Sequence, residues 1–371
     1  MPNKRLAVKD AYGRYLNNLR IAVTAECNYR CIFCHIEGEP LEGPVKPGVL
    51  SAQITSGEYA LIAEAAWRVG VDKFKLTGGE PLLRADIVDI IRSIRESAPK
   101  AEISMTTNGY FLEKLAVTMR EAGLQRVNVS VHSLDPERYA FITGVPGLDR
   151  ALRGVKAAVD SGLGVKINMV VLRDVNSSEI WDMLEYARAH GATLQLIELH
   201  PVGLGARFFQ KYFYPLSKIE RELSARGAKV LRRSLHNRPV YILPDGARIE
   251  IVRPYSNPLF CAGCTRIRLG PFGDLSPCLN WRGPRPSILG ILKNRELSRE
   301  EKIILIASKM VDLVAQRRPY YLWPVRDGQI LYEPGGVNTN NRTGRMSIPK
   351  RLYFLKVKEE LERLQAGGGS P

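Results

Sequence analysis

The chain predicts an α/β protein: a partial (β/α)6 barrel of the TIM type, with a smaller C-terminal domain closing the open side. Three observations carry that expectation. Six strand-like segments alternate with helix-like ones between residues 19 and 199, the rhythm of a parallel sheet with right-handed crossovers. The strand segments end in polar or glycine-rich clusters, at the rim where barrels of this kind keep their active sites. Past residue 232 the alternation gives way to short strands and a second group of cysteines.

The strand signals fall at residues 19–24, 73–77, 102–106, 126–131, 165–171 and 194–199. Helical periodicity fills the gaps at 57–69, 85–96, 112–122, 148–161 and 178–190. Six units are too few for a closed eight-stranded barrel, hence a partial one. A doubly wound Rossmann sheet is the alternative that the pattern alone leaves open. Residues 203–215 read as a loop insertion, followed by a helix at 216–226, short strands at 240–243 and 248–252, and an apolar helix at 303–316. The segment 333–346, rich in Gly, Asn and Thr, reads as a loop, and 349–364 as an amphipathic helix before Gly367, Gly368 and Gly369. The expected division is 1–232 for the barrel, 233–348 for the C-terminal domain, and 349–371 for the last helix and tail.

Of the 371 residues, 45% are hydrophobic and 25% charged, an ordinary globular balance. No apolar run approaches the roughly 20 residues that a membrane helix needs. Residues 1–15 are basic and polar, without the apolar stretch of an export signal, so a cytoplasmic location is expected. A net charge of +16 favours acidic partners, such as a polyphosphate or a nucleic acid, and suits a plain solvated surface equally well. No aromatic-interleaved RNA motif accompanies it, so nucleic acid is not the expected partner.

The six cysteines form two trios, Cys27, Cys31 and Cys34, then Cys261, Cys264 and Cys278. Clustered thiols in a cytosolic chain argue for metal before disulfide. The first trio, spaced C-x3-C-x2-C after the first strand, can hold three irons of a four-iron cluster and leave the fourth open to a small molecule. For the second trio a zinc site competes, although no histidine lies nearby in sequence to complete it. Other polar strand ends share the rim: Thr77-Gly78-Gly79-Glu80-Pro81, Thr106-Thr107-Asn108-Gly109, Ser130 with His132, and Glu198-Leu199-His200. His132 reads as a packed or capping histidine, whereas Glu80, a bare carboxylate at a strand end, reads as functional.

The first trio, with Phe33 before its last cysteine, resembles the signature of radical S-adenosylmethionine enzymes. Gly78-Gly79-Glu80-Pro81 resembles that superfamily's motif for the methionine amino group. A closer resemblance covers most of the chain. Asp10-Ala-Tyr-Gly-Arg14, Leu19-Arg20-Ile-Ala-Val-Thr24, Leu76-Thr77-Gly-Gly-Glu-Pro-Leu-Leu-Arg84 and Lys166-Ile-Asn168 are similar to the GTP 3′,8-cyclases of molybdenum-cofactor biosynthesis. So are Val127-Asn-Val-Ser130, Ile197-Glu198 and, most specifically, Phe260-Cys261-Ala-Gly-Cys264-Thr-Arg266-Ile-Arg268-Leu with Cys278-Leu279.

The resemblance implies two four-iron clusters and S-adenosylmethionine as cofactors, and GTP as substrate. It implies a 5′-deoxyadenosyl radical that takes hydrogen from the ribose C3′, whose carbon then attacks guanine C8. Electrons would come from a flavodoxin- or ferredoxin-type donor, and a homodimer is compatible. Carried over residue by residue, it assigns the methionine cofactor to Phe33, Gly79, Glu80, Thr106, Ser130 and the vicinity of His200. It assigns the triphosphate to Arg20, Lys73, Lys75, Lys166, Arg266 and Arg268, where arginine forks suit phosphate oxygens. This chain departs from the family at several of these points. His35-Ile36-Glu37-Gly38 follows Cys34 in place of a Met-Pro turn, and Lys75 and Gln195 stand where arginines are usual. His200 stands where a methionine is usual, and Pro349 continues the chain where the family closes on Gly-Gly. A peptide-modifying radical enzyme, an enzyme of another nucleotide, and a metal-containing RNA-binding protein are the competing readings.

Overall fold

The barrel arc is built from six parallel strands: β1 (Asn18–Ala22), β2 (Lys73–Thr77), β3 (Glu102–Thr107), β4 (Arg126–Ser130), β5 (Gly164–Val171) and β6 (Thr193–Glu198). The computed structural model describes residues 5–39, 43, 45–46, 54–255 and 257–320, with the backbone of 325–326 and 329–330. The expected loop at 333–346, the helix at 349–364 and the glycines 367–369 lie outside the described residues. The six strands are neighbours in chain order. A doubly wound sheet reverses its order at a switch point; this one winds in a single direction, as a barrel does.

The helices α1 (Ser56–Arg68), α2 (Ile87–Ser97), α3 (Leu112–Glu121), α4 (Pro136–Thr143), α5 (Leu148–Asp160) and α6 (Ile180–Ala189) connect them. Alternation along each strand sorts its two faces. Leu19 and Ile21, Phe74 and Leu76, Ile103 and Met105, Val127 and Val129, and Ile167 and Met169 form the core with the helices. The alternate positions line a cavity: Asn18 and Arg20, Lys73 and Lys75, Ser104 and Thr106, Arg126 and Asn128, and Lys166 and Asn168. Closed TIM barrels fill this space with branched apolar side chains; here it is polar and hollow.

After β6 come α7 (Gly205–Tyr212), α8 (Ser217–Ala225), β7 (Lys229–Arg232), β8 (Pro239–Ile242), β9 (Arg248–Val252), α9 (Pro258–Ala262), β10 (Arg266–Leu269), β11 (Leu275–Ser276), α10 (Leu289–Lys293) and α11 (Arg299–Ala315). These strands extend the same sheet at both edges. β9 pairs parallel with β6, and β10 parallel with β1, giving the order β11-β10-β1-β2-β3-β4-β5-β6-β9-β8-β7. The β7–β8 hairpin is hydrogen-bonded across residue 232. Although the sheet is open, its two ends meet. The turn after β7 touches α9 through His236 N–H donating to the Gly263 carbonyl at 2.7 Å and the Asn237 amide donating to the Leu259 carbonyl at 2.8 Å. The His236 and Phe260 rings stack there, 3.9 Å between centroids.

One correction concerns residues 203–215. They are not a loop insertion, because α7 occupies most of them and buries Phe209 and Tyr212. Gly203 and Pro215, which look like loop punctuation, only bound it. The short helix α4 also went unread, despite an Asp135 cap, Pro136 in its first turn and a left-handed Gly144 at its end.

Candidate active site

The loop from Cys27 to Cys34 leaves the end of β1 and is tied down on both sides. Tyr29, fully buried, meets Tyr139 of α4 edge-on, and the two hydroxyls lie 3.3 Å apart. The N–H groups of Arg30 and Ile32 donate to the carbonyls of Thr143 and Ile142 at 2.9 and 3.1 Å, and Leu204 N–H donates to the Cys34 carbonyl at 2.9 Å. The thiols therefore sit on a loop whose backbone is fixed by α4 and by the start of α7. Burial, with Glu80 nearby, pushes the Cys27 thiol up to about 12, and burial pushes Cys34 to about 11. Such thiols ionise only when a metal takes the charge. The Tyr29 N–H already points at the Cys27 sulfur, 3.4 Å away.

The Gly78-Gly79-Glu80-Pro81 stretch owes its composition to crowding. A β-carbon on Gly78 would lie 2.4 Å from the Thr24 carbonyl oxygen, and one on Gly79 2.0 Å from that of Glu26. Only glycine lets the end of β2 pass so close to the chain that leads into the cysteines. Glu80 is not a bare carboxylate, which corrects the sequence reading. It accepts from the Thr107 hydroxyl at 2.6 Å and from the N–H groups of Leu82 and Asn108 at 3.0 and 2.7 Å. Burial outweighs those donors and raises it to about 7. Its visible work is to pin the ends of β2 and β3 together.

The second trio lines the same cavity: Cys261 is on α9, Cys264 follows that helix and Cys278 follows β11. Arg14, held by Asp10 at 2.6 Å, donates to the Cys261 carbonyl at 2.8 Å, which gives the Asp10-to-Arg14 motif a structural task. Burial, with Cys264 beside it, pushes Cys278 up to about 12, and Asn280 N–H points at its sulfur from 3.4 Å. Among the described residues no three Cys, His, Asp or Glu side chains are arranged to hold a single metal ion. In a four-iron cluster each cysteine takes its own iron, so two trios of buried or half-buried thiols, with an amide facing one sulfur in each, fit clusters better than zinc. The His200 Nε2 lies 2.9 Å from Asn280 Oδ1, and burial lowers its pKa to about 4, so the ring that links the end of β6 to the second trio is neutral.

Both trios open on one cavity of roughly 430 Å³, and all the candidate residues line it. Phe33 packs edge-on against His132, 4.7 Å between centroids. Thr106 and Ser130 face the cavity from β3 and β4, beside Gly79. Lys73 lines it from β2. Arg20 and Arg268 are adjacent in register and both bond Glu37. Arg266 donates to Asn18 Oδ1 at 2.6 Å. Lys75 donates to the Met105 carbonyl at 2.7 Å and to Asn128 at 2.8 Å; burial, then Arg126 and Arg20, hold it well below the ordinary lysine range. Lys166 bonds Glu250, and burial brings it down to about 8 despite that partner.

Comparison with known proteins decides the family. Residues 21–187 match the radical SAM superfamily, and residues 192–323 match the family described as Molybdenum Cofactor Synthesis C. A probable GTP 3′,8-cyclase of Aeropyrum pernix is 46% identical, covering 95% of this chain and 99% of its own. One of Thermococcus kodakarensis is 41% identical, covering 84% and 99%. The chain belongs to the GTP 3′,8-cyclase family. As such it is a radical SAM protein that uses S-adenosylmethionine and two four-iron clusters. Streptococcus suis SuiB, solved with S-adenosylmethionine, shares the fold at a TM-score of 0.55 and 16% identity, over 75% of this chain and 65% of its own.

The cavity wall also holds charged residues that the sequence reading does not single out: Arg126, Glu37, Arg233 and Arg238, with Glu250 buried behind them. Arg126 shares the inward face of β4 with Asn128 and Ser130, and the two-residue alternation from Ser130 could have found it. Glu250 alternates on β9 with the buried Ile249 and Ile251 and could have been found the same way, whereas Glu37, Arg233 and Arg238 had no such signal. Glu37 sits in a 3₁₀ turn with φ near +50°, and the two arginines sit in the β7–β8 turn, where no periodicity points a side chain inward.

Proposed function

We infer that the chain is a radical SAM lyase that converts GTP to 3′,8-cyclo-7,8-dihydroguanosine 5′-triphosphate in molybdenum-cofactor biosynthesis. The observation that carries this reading is one cavity lined by both cysteine trios and by a set of buried and half-buried cations. Cys27, Cys31 and Cys34 would hold the first cluster, and Cys261, Cys264 and Cys278 the second. With S-adenosylmethionine, the first cluster supplies a radical able to take hydrogen from a carbon. Phe33, Gly79, Thr106, Ser130 and His200 would border the cofactor, with Glu80 fixing the loop behind it. Arg20, Lys73, Lys75, Lys166, Arg266 and Arg268 would hold the triphosphate. Buried cations are costly unless an anion meets them, and a triphosphate supplies that charge. Holding the ribose and base in one reactive geometry can lower a barrier by roughly 7–11 kcal/mol. A flavodoxin- or ferredoxin-type electron donor, a cytoplasmic location and a homodimer belong to the same reading. Among the described residues no helix is long and apolar enough to cross a membrane.

The test is anaerobic turnover of the reconstituted protein with each of the four ribonucleoside triphosphates, S-adenosylmethionine and a reductant. GTP alone should give 5′-deoxyadenosine together with a cyclised isomer of GTP. About eight irons per chain are expected, falling to about four when Cys261, Cys264 and Cys278 are replaced by serine. Equal turnover of all four nucleotides, or no cyclised product from GTP, would overturn the reading.

A further inference from the structure

The turn between β7 and β8 carries two arginines into the cavity, Arg233 and Arg238. Both address Glu250 on β9. Arg238 Nη1 is 2.9 Å from one carboxylate oxygen and Arg233 Nη1 3.3 Å from the other, which also takes the Lys166 ammonium. The Glu250 side chain is 0% exposed, that of Arg238 14% and that of Arg233 36%. Three cations therefore share one carboxylate inside the protein. Among the described residues no other anion pairs with them: Glu102 is taken by Arg126, and the inward neighbours Asn128, Asn168 and Gln195 are neutral. Buried charge left over in this way is costly without a counter-ion. One carboxylate offsets one of these three charges, so a net positive charge is left at this end of the cavity.

Position gives the surplus a direction. The same turn that carries the arginines is stacked on α9, and Arg238 lies near enough to repel both Arg266 and Lys166. Gln195 pairs in register with Glu250, so a cation at position 195 would address the same carboxylate. We propose that Arg233 and Arg238 are substrate-binding residues that grip phosphate oxygens of the nucleoside triphosphate, with Glu250 as the positioning residue that holds them and Lys166 in place. The turn thereby supplies the guanidinium charge that β6 lacks at Gln195. This inference rests on the reading of the substrate as a nucleoside triphosphate.

The experiment measures equilibrium binding of GTP, tripolyphosphate and guanosine to cluster-loaded protein, unaltered and as Arg233→Gln, Arg238→Gln and Arg238→Gln with Gln195→Arg. Each single variant should weaken GTP and tripolyphosphate tenfold or more and leave guanosine unchanged, and Gln195→Arg should recover part of the loss. Iron content and melting temperature serve as controls for folding. Arg233 is the more exposed residue, so its variant keeps the test decisive if Arg238→Gln folds poorly. If the unaltered protein does not bind GTP, the functional reading fails first. If it does, and the variants bind GTP as tightly, or lose guanosine as much as GTP, the two arginines are structural and the inference is overturned.

Discussion

Glu37 is an anion of the protein itself among the cations that line the cavity. Its carboxylate accepts from Arg20 Nε at 2.8 Å and from Arg268 Nη1 at 2.7 Å, so two of the cations proposed to grip phosphate already hold a charge from the protein itself. Burial alone would raise the Glu37 carboxyl, but Arg20, His35 and Arg268 more than offset it and hold it well below the usual carboxylate range. The residue is thus an internal counter-ion that keeps two buried arginines satisfied when no substrate is present. Glu37→Gln removes the charge and keeps the size. Leaving buried partners unpaired typically costs roughly 3–5 kcal/mol, so the variant should melt well below the unaltered protein. Tripolyphosphate should then restore more of its melting temperature than it adds to the unaltered protein, because the anion replaces the lost carboxylate. Thermal melts with and without tripolyphosphate check this; an equal ligand-induced rise in both proteins would mean that Glu37 and phosphate do not share a place.

At the scale of elements, the six barrel strands were legible to within a residue or two because their apolar faces repeat every second position and turn residues bound them. The cysteine trios stand out by their spacing, while the cations on β1, β2, β5 and β10 come from the family resemblance, with alternation adding only that Lys73 shares a face with Lys75 and Arg266 with Arg268. What stayed hidden was the support. α4 and α7 have eight residues each, too few for a 3.6-residue period to stand out, and both pack on the cysteine loop. Gly203 shows how tight that packing is. Its φ is +59°, and a β-carbon there would come within 2.5 Å of the Cys34 carbonyl oxygen. Gly203→Ala must therefore move either the start of α7 or the backbone of Cys34. The first cluster should become labile while the second is spared, with iron falling from about eight toward about four per chain. Iron analysis with electron paramagnetic resonance of the reduced protein reads this directly, and full retention of both clusters would show that the loop yields without cost.

For the whole molecule, the expectation of a C-terminal part closing the open side was correct in outcome, but the sequence could not show how. Closure comes from a turn and a short helix some 20 residues apart, joined by one ring stack and two hydrogen bonds rather than by a ladder. No pattern period encodes such a seam. It matters because it holds the second cysteine trio and the β7–β8 arginines over a cavity whose floor and first trio belong to the parallel arc. An aromatic stack contributes about 0.5–1.5 kcal/mol beyond the area it buries, too little for its loss to unfold an arc whose core is made elsewhere. Phe260→Ala should accordingly open the seam and spare the arc. Hydrogen exchange should rise at residues 235–237 and 258–264, while β1 to β6 keep their protection. Cleavage of S-adenosylmethionine should persist with little cyclised nucleotide, separating radical formation from its use. If cleavage and cyclisation fall together, the two halves of the cavity depend on each other more closely than one seam can explain.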